Sequence, residues 1–521
     1  MKKRILSIAA VFTLAASFIT SGLSQTAYAA TPYNASNVLG QPNFTTSTPT
    51  STQTGQNLPD GVAIDNAHNR LFVGDYSNNR VLVYGSTSFS NGQAASYVLG
   101  QPDFTTTTAA ATQNKMSLPG HLYYDAGSDR LFVTDGGNNR VLIYDTTTIT
   151  NGMNATNVLG QTNFTNNAAA VTQSGLNAPT GVDYDSVNKR LFVGDTNANR
   201  ILIYDITTIT NGMNAVNVLG QVNFITAVDT TTQSTSRRPI GVAYDGTHNR
   251  LFVAAFNSNR VTVYDTSSIT NGMNAVNVLG QPDFTTATAA ATQNKMTAAI
   301  GVAYDVETNR LFVSEFYAGR VTVYNVTTIT NGMNATSVLG QPSFTTNACG
   351  LTAQGMCGPN GIAYDTVNNR LFETDLYQSR TLIFNFAQLV SSLPSGQAGQ
   401  AYQPTTLGVN TQGTTTYTLT SGALPPGLNL NTSTGQLSGT PTDPGSYTFS
   451  ISVSDDNGVA GIYTDTASYT VSIAAAAALP GLPKTGNLPG GLTAIPALLV
   501  LSGGAVTAGS LWTIRRRFNQ R

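Results

Sequence analysis

The chain repeats Val-Leu-Gly-Gln six times at an unbroken spacing of sixty residues, beginning at Val38, Val98, Val158, Val218, Val278 and Val338. An arginine phrase runs in the same register: Asn69-Arg70-Leu71-Phe72-Val73, then Arg80. The pair returns at Arg130/Arg140, Arg190/Arg200, Arg250/Arg260, Arg310/Arg320 and Arg370/Arg380. A fixed period over most of a chain means stacked copies of one supersecondary unit that cannot bury its apolar face alone. Such architectures more often present surfaces than carry out chemistry.

Four strand signals recur in each sixty. Gly61 to Asp65 is the first, echoed at Gly181, Gly241, Gly301 and Gly361. Arg70-Leu71-Phe72-Val73 is a continuous apolar run ending in Asp75, as buried strands do. Arg80 to Tyr84 is the third signal, and Tyr97-Val98-Leu99-Gly100 the fourth. The connection before the fourth carries Asn91-Gly92 and equivalents such as Asn151-Gly152, residues that tolerate positive φ and mark tight turns. Four antiparallel strands per repeat, six times over, is the pattern of propeller blades.

Pro59 to Asp65, Arg70 to Asp75 and Asn78 to Tyr84 together resemble the NHL repeat, and the resemblance covers residues 36–386. It implies a six-bladed β-propeller with about 60 residues per four-stranded blade, longer than the usual unit of that family. The surplus sits in Thr/Ala/Gln-rich stretches such as Thr45 to Asn57. The first strand met, Asn37 to Gln41, is of the fourth type, and the last, Thr381 to Asn385, is of the third. Six of each type exist only if Val38-Leu39-Gly40 completes the last blade, which would leave no open sheet edge. Asp65, Asp125, Asp185, Asp245, Asp305 and Asp365 recur in every blade with the arginine pairs, so they read as turn caps and interblade hydrogen bonds. A catalytic residue need occur only once.

Both ends carry export signals. Lys2-Lys3-Arg4, an apolar stretch from Ile5 to Ile19 and Ala27-Tyr28-Ala29 read as a signal peptide over residues 1–29. Leu482-Pro483-Lys484-Thr485-Gly486 precedes an apolar run with a span at 492–514 and the basic tail Arg515-Arg516-Arg517. Together these resemble the LPXTG cell-wall sorting signal of Gram-positive surface proteins, over residues 482–521. The resemblance implies that a sortase cuts after Thr485 and joins its carbonyl to peptidoglycan; a plain C-terminal membrane anchor is the alternative. Processing would leave 18 cations against 26 anions, an acidic displayed protein that repels nucleic acid and anionic membrane. The membrane would be met only through the C-terminal segment before sorting.

The period stops near Pro394. Residues 387–473 hold alternating strands such as Tyr447 to Val453. Leu424-Pro425-Pro426-Gly427-Leu428 and Gly435 to Pro441 resemble the Ig-like modules of bacterial surface proteins, which implies one small β-sandwich. Residues 474–481 read as a spacer, so the sandwich would serve as a stalk for the ring. Asp455, Asp456 and Asn457 offer oxygens to calcium, but a β-turn explains them more simply. Cys349 and Cys357, the chain's two cysteines, read as a small disulfide in an exported protein; two ligands of a metal site is the alternative, without nearby histidines.

No catalytic constellation emerges, and no cofactor is expected. Propeller enzymes that resemble the NHL family rely on histidines, and only three occur here. His68 and His248 share a turn position with Asn188, Asn368, Ser128 and Thr308, while His121 stands alone in place of a glycine. A binding face is the better reading. Where loops depart from the pattern, aromatic and charged residues appear: Tyr76, Phe256, Phe316, Tyr317 and Tyr377, with His121, Arg237, Arg238 and Glu315. Ala255 also replaces the aspartate of most blades. The expected protein is all-β, a wall-anchored propeller for binding or adhesion to an extracellular protein, glycan or surface. An anchored lyase or hydrolase, or a purely structural envelope protein, are the alternatives.

Overall fold

The computed structural model describes residues 33–458 and 462–477. The expected signal peptide, sortase motif, transmembrane segment and basic tail lie outside the described residues, as does the end of the spacer. Among the described residues no helix is long and apolar enough to cross a membrane.

Six four-stranded antiparallel sheets follow the sixty-residue period. Blade one is Pro59–Asp65, Arg70–Asp75, Arg80–Gly85 and Tyr97–Leu99. Blade four is Pro239–Asp245, Arg250–Ala255, Arg260–Asp265 and Asn277–Leu279. Each first strand packs against the first strand of the next blade, and Pro359–Asp365 of blade six packs back on Pro59–Asp65, so the sheets close into a ring. The contact is backbone on backbone: a Cβ on Gly361 would lie 2.0 Å from the Asp60 carbonyl oxygen, and one on Gly181 1.9 Å from that of Ile240. Only glycine permits that approach.

The ring closes by a clasp. Asn37–Leu39 pairs with Arg380–Asn385 in the register Asn37↔Ile383, Val38↔Leu382, Leu39↔Thr381, completing blade six. Val38 and Leu39 are fully buried, so this short edge strand is packed as well as paired.

Polar bolts cross every seam. Asp65 Oδ2 receives Arg70 Nε at 2.6 Å, and Arg70 Nη1 donates to the Thr146 carbonyl of blade two at 2.7 Å. Arg190 and Arg250 repeat this reach to Thr266 and Val326. His68, His248, Asn188, Asn368, Ser128 and Thr308 all meet the aspartate three residues before them, which makes them interchangeable turn residues. The Asn-Gly connections do more than turn the chain. Asn91 Oδ1 accepts from the Val38 N–H and Asn151 Oδ1 from that of Val98, tying each connection to the outer strand of the preceding blade.

The C-terminal module has its own core, which includes Leu407, Leu437, Ile451, Val453 and Val471. Thr414–Gly422, Gly445–Asp456 and Ile462–Ala474 form antiparallel neighbours, with Gly396–Gln397 parallel to the last. A three-stranded sheet of Thr405–Thr406, Gln436–Gly439 and Leu428–Leu430 faces it across the core. The module is no free stalk. Tyr463 stacks on Phe386 with centroids 4.0 Å apart, and both share a core with Tyr33, Phe312 and Leu371 of the ring. The Arg310 guanidinium lies 5.3 Å from the Tyr463 ring and 5.5 Å from that of Phe312, a cation–π contact across the junction.

Candidate functional site

The loops after the second strand of each blade and those leading into the first strand emerge on one face, because Pro59 pairs with Asp75 there. Each post-strand loop is a single 3-10 turn closed by a left-handed residue, Asn79 in blade one and Gly319 in blade five. The first two turn residues vary from blade to blade, and in blade three the first of them, Thr196, is buried with its hydroxyl donating to the Pro239 carbonyl. They are Gly136 and Gly137 in blade two and Thr196 and Asn197 in blade three, but Phe256, Phe316-Tyr317 and Leu376-Tyr377 in blades four to six.

Those aromatics touch. Phe256 lies 6.1 Å from Phe316 and 5.8 Å from Tyr317; Phe316 lies 5.2 Å from both Tyr317 and Tyr377. The interplanar angles are edge-to-face, the arrangement that ring quadrupoles favour. Gly358, at φ +81°, makes room: a Cβ there would come within 2.8 Å of the Tyr377 ring. Tyr317 and Tyr377 are 66% and 56% exposed, so the cluster's outer rings face solvent. The exposed Arg238 extends it, with its guanidinium 5.5 Å from the Phe256 ring. Arg237 is engaged elsewhere, paired with Asp229 at 2.7 Å.

Three expected members of the face sit differently. Glu315 is fully buried and ion-paired with Arg320 at 2.9 Å, the counterpart of Asp75 with Arg80, so it presents nothing to solvent. His121 points into the central channel instead of joining the loops, because it replaces an inner-strand glycine. Tyr76 is half-buried, and its hydroxyl is pushed up by burial and then by the nearby Asp60 carboxylate.

The channel, with a volume of about 380 Å³, is lined by all six first strands. Small residues dominate one inner position, with Ala63, Ala243, Ala303 and Ala363; the exceptions are Tyr123 and Asp183. A second polar group gathers where blades one, two and six meet. His121 Nε2 lies 3.5 Å from Asp60 Oδ1, and neither atom has a hydrogen-bond partner; the buried Asn360 amide flanks the imidazole. Asn360 is positioned by its own N–H, which donates to Glu373 Oε1 at 2.9 Å. Glu373 takes the place of a core valine, and burial raises its carboxyl far above the usual range. Asp60 and Asn360 were missed from sequence because neither breaks a motif; each only varies a position that is already variable.

Burial raises the Asp60 carboxyl to about 7 and lowers His121 to about 4. Asp183 is likewise raised to about 7 by burial, although the N–H groups of Tyr184 and Tyr244 donate to it. At neutral pH the imidazole is uncharged and the carboxyls are partly protonated, so the channel carries less negative charge than its acids would in water and can both donate and accept hydrogen bonds. A folded-state pKa above the unfolded one means stability is complete below about 4 and is lost as pH rises through 7. Asp60→Asn is therefore expected to stabilise the protein at pH 8 by on the order of 4 kcal/mol, and the gain should vanish below about pH 4. Chemical unfolding at several pH values checks this, and a gain that does not change with pH would contradict it.

The other assigned residues have structural duties. Cys349 and Cys357 form a disulfide within the loop entering blade six. Asp455 is buried, with its carboxylate accepting from the N–H groups of Gln412 and Gly413 at 2.8 and 2.7 Å. Asp456 Oδ1 accepts from the Gly458 N–H, so the segment containing Asn457 is a hydrogen-bonded turn. Among the described residues no three His, Cys, Asp or Glu side chains cluster as metal ligands do.

Residues 384–474 match the family model described as "Putative Ig domain". No curated protein matches the chain. Among solved structures it is similar to an auxiliary nutrient binding protein from Bacteroides thetaiotaomicron, at 12% identity and a TM-score of 0.41, covering 63% of this chain and 69% of that one. A second protein of that organism, of unknown function, gives 14% identity and a TM-score of 0.44 over 66% and 74% of the two chains. The β-propeller domain of Cps50 (Swd1) from Myceliophteria thermophila gives 9% and 0.37 over 63% and 83%. The chain is an all-β protein of repeated four-stranded sheets with an Ig-like domain, an architecture suited to a surface or binding protein.

Proposed function

We propose that this is a wall-anchored surface protein that uses the ring's aromatic face to bind an extracellular protein or glycan. The observation that carries the reading is the contiguous cluster of Phe256, Phe316, Tyr317 and Tyr377, whose two outer rings are mostly exposed beside Arg238. Soluble proteins rarely leave aromatic groups of this size uncovered without a partner. Glycine and threonine at the equivalent turns of blades two and three leave the cluster one-sided, which gives a ligand a defined orientation. The neutral imidazole and partly protonated carboxyls of the channel suit hydroxyl or amide groups of such a ligand. Anchoring is supported by the order of Leu482 to Gly486, apolar run and basic tail in the sequence.

One experiment addresses both parts. The full chain is made in a Gram-positive host with and without sortase, and displayed cells are screened against glycan arrays and extracellular matrix proteins. Display is expected only with sortase, and a Phe316→Ala/Tyr317→Ala/Tyr377→Ala chain is expected to lose at least about tenfold in binding, as clustered aromatic anchors do. Unchanged binding by that variant sinks the face; unchanged display without sortase sinks the anchor.

A further inference from the structure

Five of the six blades share a buried ion pair that blade four lacks. Arg80, Arg140, Arg200 and Arg380 each donate Nε to the carboxylate five residues earlier, and Arg320 reaches Glu315 through Nη2. The backbone also donates to each carboxylate: the N–H groups of Asn57, Ser117, Asn177 and Cys357 at 2.6 Å, and that of Thr297 at 3.0 Å. In blade five the Thr322 hydroxyl adds a third bond, to Glu315 Oε1 at 2.9 Å.

Blade four keeps the donors without the acid. The aspartate position is Ala255, and Arg260 is fully buried with its Nε unpartnered. Its other nitrogens reach only carbonyls, those of Phe284, Thr232 and Thr235. Arginine cannot shed its proton to escape burial, so the charge persists. Burial lowers its pKa, and the one carboxylate acting on it, Asp283, is a surface group already bonded to Thr285 and Thr286. Thr262, the counterpart of Thr322, has a buried hydroxyl without a partner. So does Ser236, which stands where the other blades have Gln56, Met116, Leu176, Met296 and Met356. The N–H equivalent to that of Asn57 belongs to Arg237.

We infer that blade four binds a carboxylate of formate or acetate size, held by Arg260 Nε, the hydroxyls of Thr262 and Ser236 and the Arg237 N–H. The bound group restores the charge balance that an internal acid supplies in the other five blades. Ala255 directly precedes Phe256, so the site lies at the root of the aromatic rim but does not depend on that rim for its chemistry.

The test is thermal unfolding of the full chain in sodium formate, sodium acetate and sodium chloride at equal ionic strength. Formate and acetate at about 200 mM are expected to raise the midpoint by about 2 °C over chloride, as ligands that bind only the folded state do. Ala255→Asp supplies the acid internally; it is expected to raise the midpoint in chloride and to abolish the formate increment. Thr262→Val leaves the charge in place and is expected to reduce the increment. Equal midpoints in formate and chloride overturn the proposal. So does a formate increment that survives in Ala255→Asp, or an Ala255→Asp chain less stable than its parent.

Discussion

Deleting residues 33–41 is expected to collapse the ring's cooperative unfolding. The segment supplies the outer strand of blade six, and Tyr33, Val38 and Leu39 are fully buried. Large buried apolar side chains contribute about 1.5–3 kcal/mol each, so the loss approaches roughly 5–9 kcal/mol against a typical net stability of about 5–15. The deletion also bares the edge of Arg380–Asn385, a row of unpaired N–H and C=O groups prone to pairing with other chains. The expected result is rapid proteolysis within blade six and concentration-dependent aggregation. A midpoint within about 2 °C of the parent would show that the ring holds without its clasp.

Asp195→Ala should cost about 3–5 kcal/mol, among the largest effects of any single substitution here. Asp195 and Arg200 are both fully buried, 2.7 Å apart, and Asp195 Oδ1 also accepts from the Asn177 N–H. Removing the acid strands a guanidinium and a backbone donor in the interior, which costs more than the pair itself contributes. Blade four tolerates alanine at this position in company with Ser236 and Thr262, whereas blade three has Leu176 and Leu202 there. Adding Leu176→Ser and Leu202→Thr to Asp195→Ala removes buried apolar contacts and should cost further stability in chloride, of which carboxylate buffer should recover part. Urea unfolding measures both steps, and a first loss below about 1 kcal/mol would mean that these ion pairs do not secure the loops.

The rim was legible in sequence because its residues break a strict repeat: Phe316-Tyr317 stands where blade two has Gly136-Gly137. The same rule misread Glu315, since a change from aspartate to glutamate looks like a departure when the side chain still meets its arginine. Asp60 and Asn360 escaped notice for the opposite reason. They share a position that holds Gly120, Thr180, Ile240 and Ile300 in the other blades, and only ring closure brings blades six, one and two together around His121.

The sixty-residue period by itself determined six sheets, the order of their strands and the need for Val38-Leu39 to finish blade six. These follow from local pattern and from counting, because each blade repeats one solution to burying the same apolar faces. Only the tertiary structure decided which side chains meet across blades. It joined Phe256 to Phe316 and Tyr377, turned His121 toward Asp60, left Arg260 without a counter-charge and merged the Ig-like module with the ring through Tyr463 and Arg310. Those contacts link residues about sixty or more positions apart, and their distances and burial depend on how the circle closes.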